Sequence, residues 1–280
     1  MRIRFLALCV IAAAGCESDT PPTALPTPVL PAIGSAFNPT TSGSITGRVT
    51  WKGAIPNAPE FPNHVPQADG TFLYHTAKNP YAPQINPHTQ AFAGVVVSLQ
   101  GVEPTTSKPW DLPPVAVEMG DKKIVIVQGD QRRQVGFVRR GDSISVSSTE
   151  PIHHMLRGRG DAFFSLALPV PNKPVTRMLP NCGRVELSSG SGLYWVRGDL
   201  FVADHPYFAI TDADGRFTLD RIPAGPVKLA VWHSGWESAR MERDPDSTII
   251  TRMVYSPAIE RVTDVNVTSN QPVTVDVSLP

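Results

Sequence analysis

Cysteine is scarce in this 280-residue chain: it occurs only at positions 9, 16 and 182. Net charge is absent too, with 25 Lys and Arg balancing 25 Asp and Glu, so no global field recruits nucleic acid or an acidic surface. No apolar run reaches the roughly 18 residues of a membrane-spanning helix. No window holds a 3.6-residue period, which argues against helical bundles and coiled coils. Gly-x-Ser-x-Gly, His-Glu-x-x-His and phosphate-cradling glycine loops are all missing, so the commonest hydrolase, zinc-protease and nucleotide-binding signatures do not apply. Proline is what the chain has in excess. Its 29 residues are about twice the usual ~5% share, favouring short strands and rigid connections over long helices.

The N-terminus carries an address. A basic "MRIR", the short apolar "FLALCVIAAA" and the small residues of "AAGC" resemble a bacterial lipoprotein signal. That resemblance implies removal of residues 1–15, lipidation of Cys16 as the new first residue, and a cell-envelope protein held to the membrane by lipid. Glu17 after the cysteine favours the outer membrane, with the protein facing the periplasm or the cell surface. Cys9 then leaves with the signal and Cys16 carries lipid, so Cys182 stands alone and no intramolecular disulfide is expected. Residues 17–43, rich in Pro, Thr and Ser, read as an extended tether.

The body of the chain alternates like strands. In "SITGRVTW", Ile45, Gly47, Val49 and Trp51 share one face, as period-two alternation requires. Residues 53–92 form a proline-dense insertion holding His64, His75 and His88, and proline at that density excludes a central strand or helix. In "GVVVSLQGV", Val95, Val97 and Leu99 share a face; "KKIVIVQ" suits a strand covered on both sides. "QVGFVRRGDSISVSS" reads as a hairpin turning at Gly141-Asp142, and short strands continue to "VTVDVSL". The fold class is all-β with two β-sandwich domains, 44–204 and 205–280. The apolar joint "FVADHPYFAIT" should hold them together, with Phe201, Tyr207 and Phe208 in a shared interface.

Adjacent histidines in "EPIHHML", His153 and His154, are the best metal candidates. Strand parity places His154 with Ile144, Val146, Ile152 and Leu156, and His153 with Met155 on the other face. A site adding one of His64, His75 or His88 lacks any recognisable ligand spacing. Six arginines gather between 132 and 159 (Arg132, Arg133, Arg139, Arg140, Arg157, Arg159) and read as a solvated strand face and loop. "DADG" at 212–215 lacks the distal ligands of a calcium loop and reads as a turn.

Two stretches resemble known families. "YFAITDADGRFTLDRIPAGPVKLAVWH" is similar to the carboxypeptidase regulatory-like domain, a small transthyretin-like sandwich. Residues 94–204 resemble exported cupredoxin-like proteins, in which a "P-x-x-H" segment supplies the first copper histidine. "PIHH" matches it, and the resemblance assigns that position to His154. The family's remaining ligands should fall in "LSSGSGLYWVRG", but Gly190, Leu193 and Val196 stand where Cys, His and Met are expected. A blue-copper centre needs a thiolate and two imidazoles close together, so His154, with His153, is read as vestigial. The sequence thus points to a non-catalytic, lipid-anchored binding or scaffolding protein without a cofactor, its partner an envelope protein or a glycan and not nucleic acid. The alternatives are a periplasmic copper or electron-transfer protein with an atypical ligand set and a carbohydrate-associated module using some of its five tryptophans.

Overall fold

The computed structural model describes residues 32–280 except 59, 67, 68 and 70. The signal, Cys16 and the first part of the tether lie outside the described residues. Strands dominate, and the helical element among the described residues is a single 3-10 turn, Pro39–Thr41. No helix there is long and apolar enough to cross a membrane.

Two sandwiches account for most strands. In the first, one sheet runs in the spatial order Val135–Arg139, Arg197–Ala203, Gly183–Ser189, His154–Gly160, Phe164–Leu168. The facing sheet runs Val175–Met178, Ser143–Ser148, Val115–Gly120, Lys123–Gln128, Gln131–Arg133. Alternate residues turn inward: Val117, Ile126, Ile144, Val146, Leu156, Leu187 and Leu200 are all but inaccessible. Each such side chain contributes about 1.5–3 kcal/mol by leaving water.

The second sandwich draws on both ends of the chain. Arg216–Pro223 pairs antiparallel with Ser42–Trp51, which also carries Pro272–Thr274 and Val277–Leu279 in parallel. The opposing sheet is Phe208–Ile210, Val96–Gln100, Gly225–His233, Ile259–Val267. Its core holds Ile45, Val49, Phe92, Val95, Val97, Leu99, Leu229 and Val231.

This pairing corrects the expected boundary. The expected boundary gives residues 44–100 to the first sandwich, yet Ser42–Trp51 and Val96–Gln100 pair into the second. The first sandwich is therefore inserted between Val96–Gln100 and Phe208–Ile210 of the second. Alternation predicted the buried faces of Ile45, Val49, Val95, Val97 and Leu99, but a strand's face does not identify its neighbours.

The hairpin expected at Gly141-Asp142 is also corrected. Val135–Arg139 pairs in parallel with Arg197–Ala203, while Ser143–Ser148 pairs with strands of the facing sheet. Gly141, at φ +86°, lets the chain cross the sandwich instead of folding back on itself. The proline-dense insertion does contain strand: Phe61–Pro66 pairs with Phe72–Ala77 in an isolated two-stranded ribbon, where proline costs no central ladder bond.

Aromatic rings join the sandwiches. Phe137 stacks on Phe208 with centroids 4.6 Å apart, and Phe201 meets Trp232 edge-on at 5.0 Å. Phe201 and Phe208 thus take the predicted interface positions. Tyr207 does not: it is buried in the second sandwich's core, where its hydroxyl accepts from Lys108 N at 2.8 Å and donates to the Arg221 carbonyl at 2.7 Å.

Candidate functional site

His154 opens the strand His154–Gly160 and is 1% exposed. Its Nε2 lies 3.0 Å from a carboxylate oxygen of Glu150. Its Nδ1 is buried, and no described residue hydrogen-bonds it. Ile144, Val146 and Leu156 are buried with it, as parity predicted, while His153 is exposed. Ile152 departs from the prediction. At 57% exposure it lies ahead of the strand, where alternation does not yet apply.

The loop that would complete a copper site joins Gly183–Ser189 to Arg197–Ala203. Gly190 donates its N–H to the Met155 carbonyl at 2.7 Å. A Cβ at 190 would come within 3.0 Å of Met155 Sδ and Arg157 Nε, so the position a thiolate would need is crowded by two side chains. Leu193 packs against the first core and Val196 is buried in it. Cys182 precedes the strand Gly183–Ser189, whose far end pairs with Leu156. Seven residue steps from Cys182 to Ser189, and two more from Leu156 to His154, put the thiol roughly 30 Å from the level of His154. Partial desolvation, and then the neighbouring Asp204 carboxylate at 3.5 Å, push the thiol of the exposed Cys182 up to about 11. One imidazole without a nearby thiolate or second imidazole does not fit a blue-copper ion. Among the described residues no cluster of three His, Cys, Asp or Glu side chains is placed to hold a metal.

In the insertion, the ribbon pairs Asn63 with His75 and His64 with Tyr74, so the backbone register does not set the two histidines opposite each other. His88 donates its backbone N–H to Asn86 Oδ1 in a separate turn.

What the loop does instead is hold the molecule together. Its Tyr194 carbonyl accepts from Met253 N at 2.8 Å, on the ribbon formed by Ser238–Arg243 and Ile250–Tyr255. Its Trp195 carbonyl accepts from the hydroxyls of Tyr255 at 2.7 Å and Tyr81 at 3.1 Å. Beside it, the Arg197 guanidinium lies between the Tyr81 and Tyr255 rings, 4.5 and 4.3 Å from their centroids. Arg197 donates to the Gly235 carbonyl at 2.8 Å and approaches Asp199 at 3.8 Å, and Asp199 also binds Arg184 at 2.8 Å. Burial raises the Asp199 carboxyl and the Tyr81 and Tyr255 hydroxyls above their ordinary ranges, partly countered in each case by Arg197. Sequence reading passed over this cluster. Its signal was Arg-x-Asp inside the apolar run "VRGDLFV", which alternation places on one strand face.

Next to this clasp lies a cleft of about 540 Å³ between the sandwiches. Arg132 and Arg133, two of the six clustered arginines, line it, together with Arg197, Trp232 and His233. Arg132 is held by Glu118 at 2.6 Å. His233 is 9% exposed, and burial lowers it to about 4, so it is neutral at pH 7. The other arginines are not all solvated as expected: Arg140 binds Asp204 at 2.8 Å and Arg159 donates to Ser188 at 2.9 Å. Trp195, Trp232 and Trp236 are buried, leaving them no broad open face for a sugar ring. At 212–215, Asp212 Oδ1 accepts from the backbone of Asp214 and Arg216, a closed turn.

No family model and no curated protein matches the chain. Among solved structures, a reduced amicyanin mutant is similar over 32% of this chain and 82% of its own, at 14% identity and a TM-score of 0.26. A purple cupredoxin from Nitrosopumilus maritimus is similar over 32% of this chain and 99% of its own, at 10% identity and a TM-score of 0.25. The likeness to cupredoxins is weak and covers a third of the chain.

Proposed function

We propose that this chain is a non-catalytic, lipid-anchored envelope protein that binds or scaffolds, in which a cupredoxin-shaped sandwich has lost copper. The observation that carries the reading is the loop 190–196. It offers Gly190, Leu193 and Val196 where donors would be needed, and its carbonyls are engaged by Met253, Tyr81 and Tyr255. A loop whose carbonyls are committed to the insertion and the outer ribbon is poorly suited to reorganise around an ion. We read the second sandwich as carboxypeptidase regulatory-like, on the motif at 207–233, and Cys16 as the lipid attachment point, on the sequence before it.

The alternative, a copper or electron-transfer protein with an atypical ligand set, finds support in the unpartnered Nδ1 of buried His154. The two readings separate on the full chain purified from host envelopes without chelator. The proposal expects copper well below one equivalent and a lipid-modified N-terminus that Cys16→Ala abolishes. Stoichiometric copper would favour the alternative, and normal maturation of Cys16→Ala would remove the anchor.

A further inference from the structure

The cleft between the sandwiches keeps one cation clear of any carboxylate. Of the cations lining it, Lys123 pairs with Asp121, Arg132 with Glu118 and Arg197 with Asp199, and the carboxylates in its lining are Asp199 and Asp212. Both carboxylates are engaged inside the protein: Asp199 by Arg184 and Arg197, Asp212 by two backbone N–H groups. Arg133 differs from its neighbours. It is exposed, and its hydrogen bond is to the neutral Gln131 amide at 2.9 Å, so its charge stays available to a ligand.

Hydroxyl-reading groups line the same walls. His233 Nδ1 faces the Ser234 carbonyl at 2.7 Å and so carries the ring hydrogen, which leaves Nε2 as an acceptor. Gln84, Gln134 and Ser234 add further donors and acceptors. The walls are rigid: Trp232 and His233 lie on a strand paired on both sides, and Arg197 is clamped between two tyrosines. A volume of about 540 Å³ falls within the roughly 300–1,000 Å³ of ordinary ligand sites.

We infer that this cleft binds an acidic carbohydrate, its carboxylate paired with Arg133 and its hydroxyls read by His233 and the neighbouring polar side chains. The inference rests on the binding role proposed above and names its ligand class. A bare anion would use the guanidinium and leave the acceptors idle, whereas a neutral sugar would leave the Arg133 guanidinium unmatched. A guanidinium–carboxylate pair is charge-assisted and directional, and is the stronger half of such recognition.

Isothermal titration of the full chain at low ionic strength tests this with a panel of uronic-acid disaccharides, their neutral counterparts and sodium sulfate. At least one uronate should bind about tenfold or more tighter than its neutral counterpart and than sulfate. Arg133→Ala should weaken it by about tenfold with an unchanged melting temperature, since Arg133 is exposed. Arg240→Ala, on the outer ribbon, should leave binding intact. Failure of every uronate to bind, equal binding of the neutral sugar, or equally tight sulfate would each overturn the inference. Such a failure would not touch the non-catalytic reading, which stands or falls on copper content.

Discussion

Replacing Arg197 by methionine should loosen the joint between the sandwiches more than any other single change at the clasp. The side chain is 6% exposed and ties four parts of the chain: Tyr81 of the insertion, Tyr255 of the outer ribbon, Gly235 of the second sandwich and Asp199 on its own strand. Methionine fills part of the volume between the rings but carries no charge. Two desolvated cation–π contacts are lost, each worth about 1–2 kcal/mol. Asp199, 3% exposed, keeps only Arg184, and breaking a buried pair costs about 3–5 kcal/mol when nothing else compensates. Contributions at one side chain are not additive, Arg184 remains for Asp199 and methionine still packs between the rings, so the expected total loss is about 3–4 kcal/mol. Urea unfolding followed by tryptophan fluorescence measures it directly, since Trp195 and Trp236 flank the site. The double variant Arg197→Met with Asp199→Leu should be less destabilised than Arg197→Met alone, because it leaves no stranded carboxylate. Arg197→Lys should rescue little, as an ammonium cannot spread between two rings. A loss below about 1 kcal/mol for Arg197→Met, or a double variant worse than the single one, would refute the reasoning.

Other expectations follow from the same geometry. His233 has its folded pKa lowered to about 4 by burial, so its contribution is fully present above the ordinary value near 6.5 and is lost as pH falls towards 4. That gap is worth about 3 kcal/mol, and His233→Gln should flatten the corresponding part of a stability–pH curve; an unchanged curve would contradict it. Exposed Cys182, raised to about 11 by partial desolvation and then by Asp204, should alkylate slowly at pH 7.5 and faster in Asp204→Asn, and equal rates would remove Asp204 from the account. Gly215→Ala should cost on the order of 2 kcal/mol in thermal or urea unfolding, because φ is +73° and the new Cβ would lie 2.3 Å from the Val49 carbonyl. A neutral substitution there would mean the turn can relax.

Much of the fold was legible because period-two alternation survives in the strands. It identified the inward faces of Ile45, Val49, Val95, Val97, Leu99, Ile144 and Val146, and it placed His154 inside. Which strands pair was not legible. Ser42–Trp51 meets Arg216–Pro223 across more than 160 residues, and nothing in an alternating pattern encodes such a partner. The crossing at Gly141 looked like a hairpin because a glycine turn between two alternating segments is common to both arrangements. Of the candidate site, the missing donors at 190, 193 and 196 could be read directly from residue type. The clasp could not, because Tyr81, Arg197 and Tyr255 meet only once three distant segments have folded.

Copper titration of the full chain, followed by visible absorption, tests the central claim most directly. Cu(II) should give no intense thiolate-to-copper band, because Cys182 and His154 sit at opposite ends of paired strands. A weak imidazole-type signal that disappears in His154→Ala is compatible with the account, since single imidazoles hold Cu(II) in poor geometry. A stable, intensely coloured species lost in both His154→Ala and Cys182→Ser would contradict it.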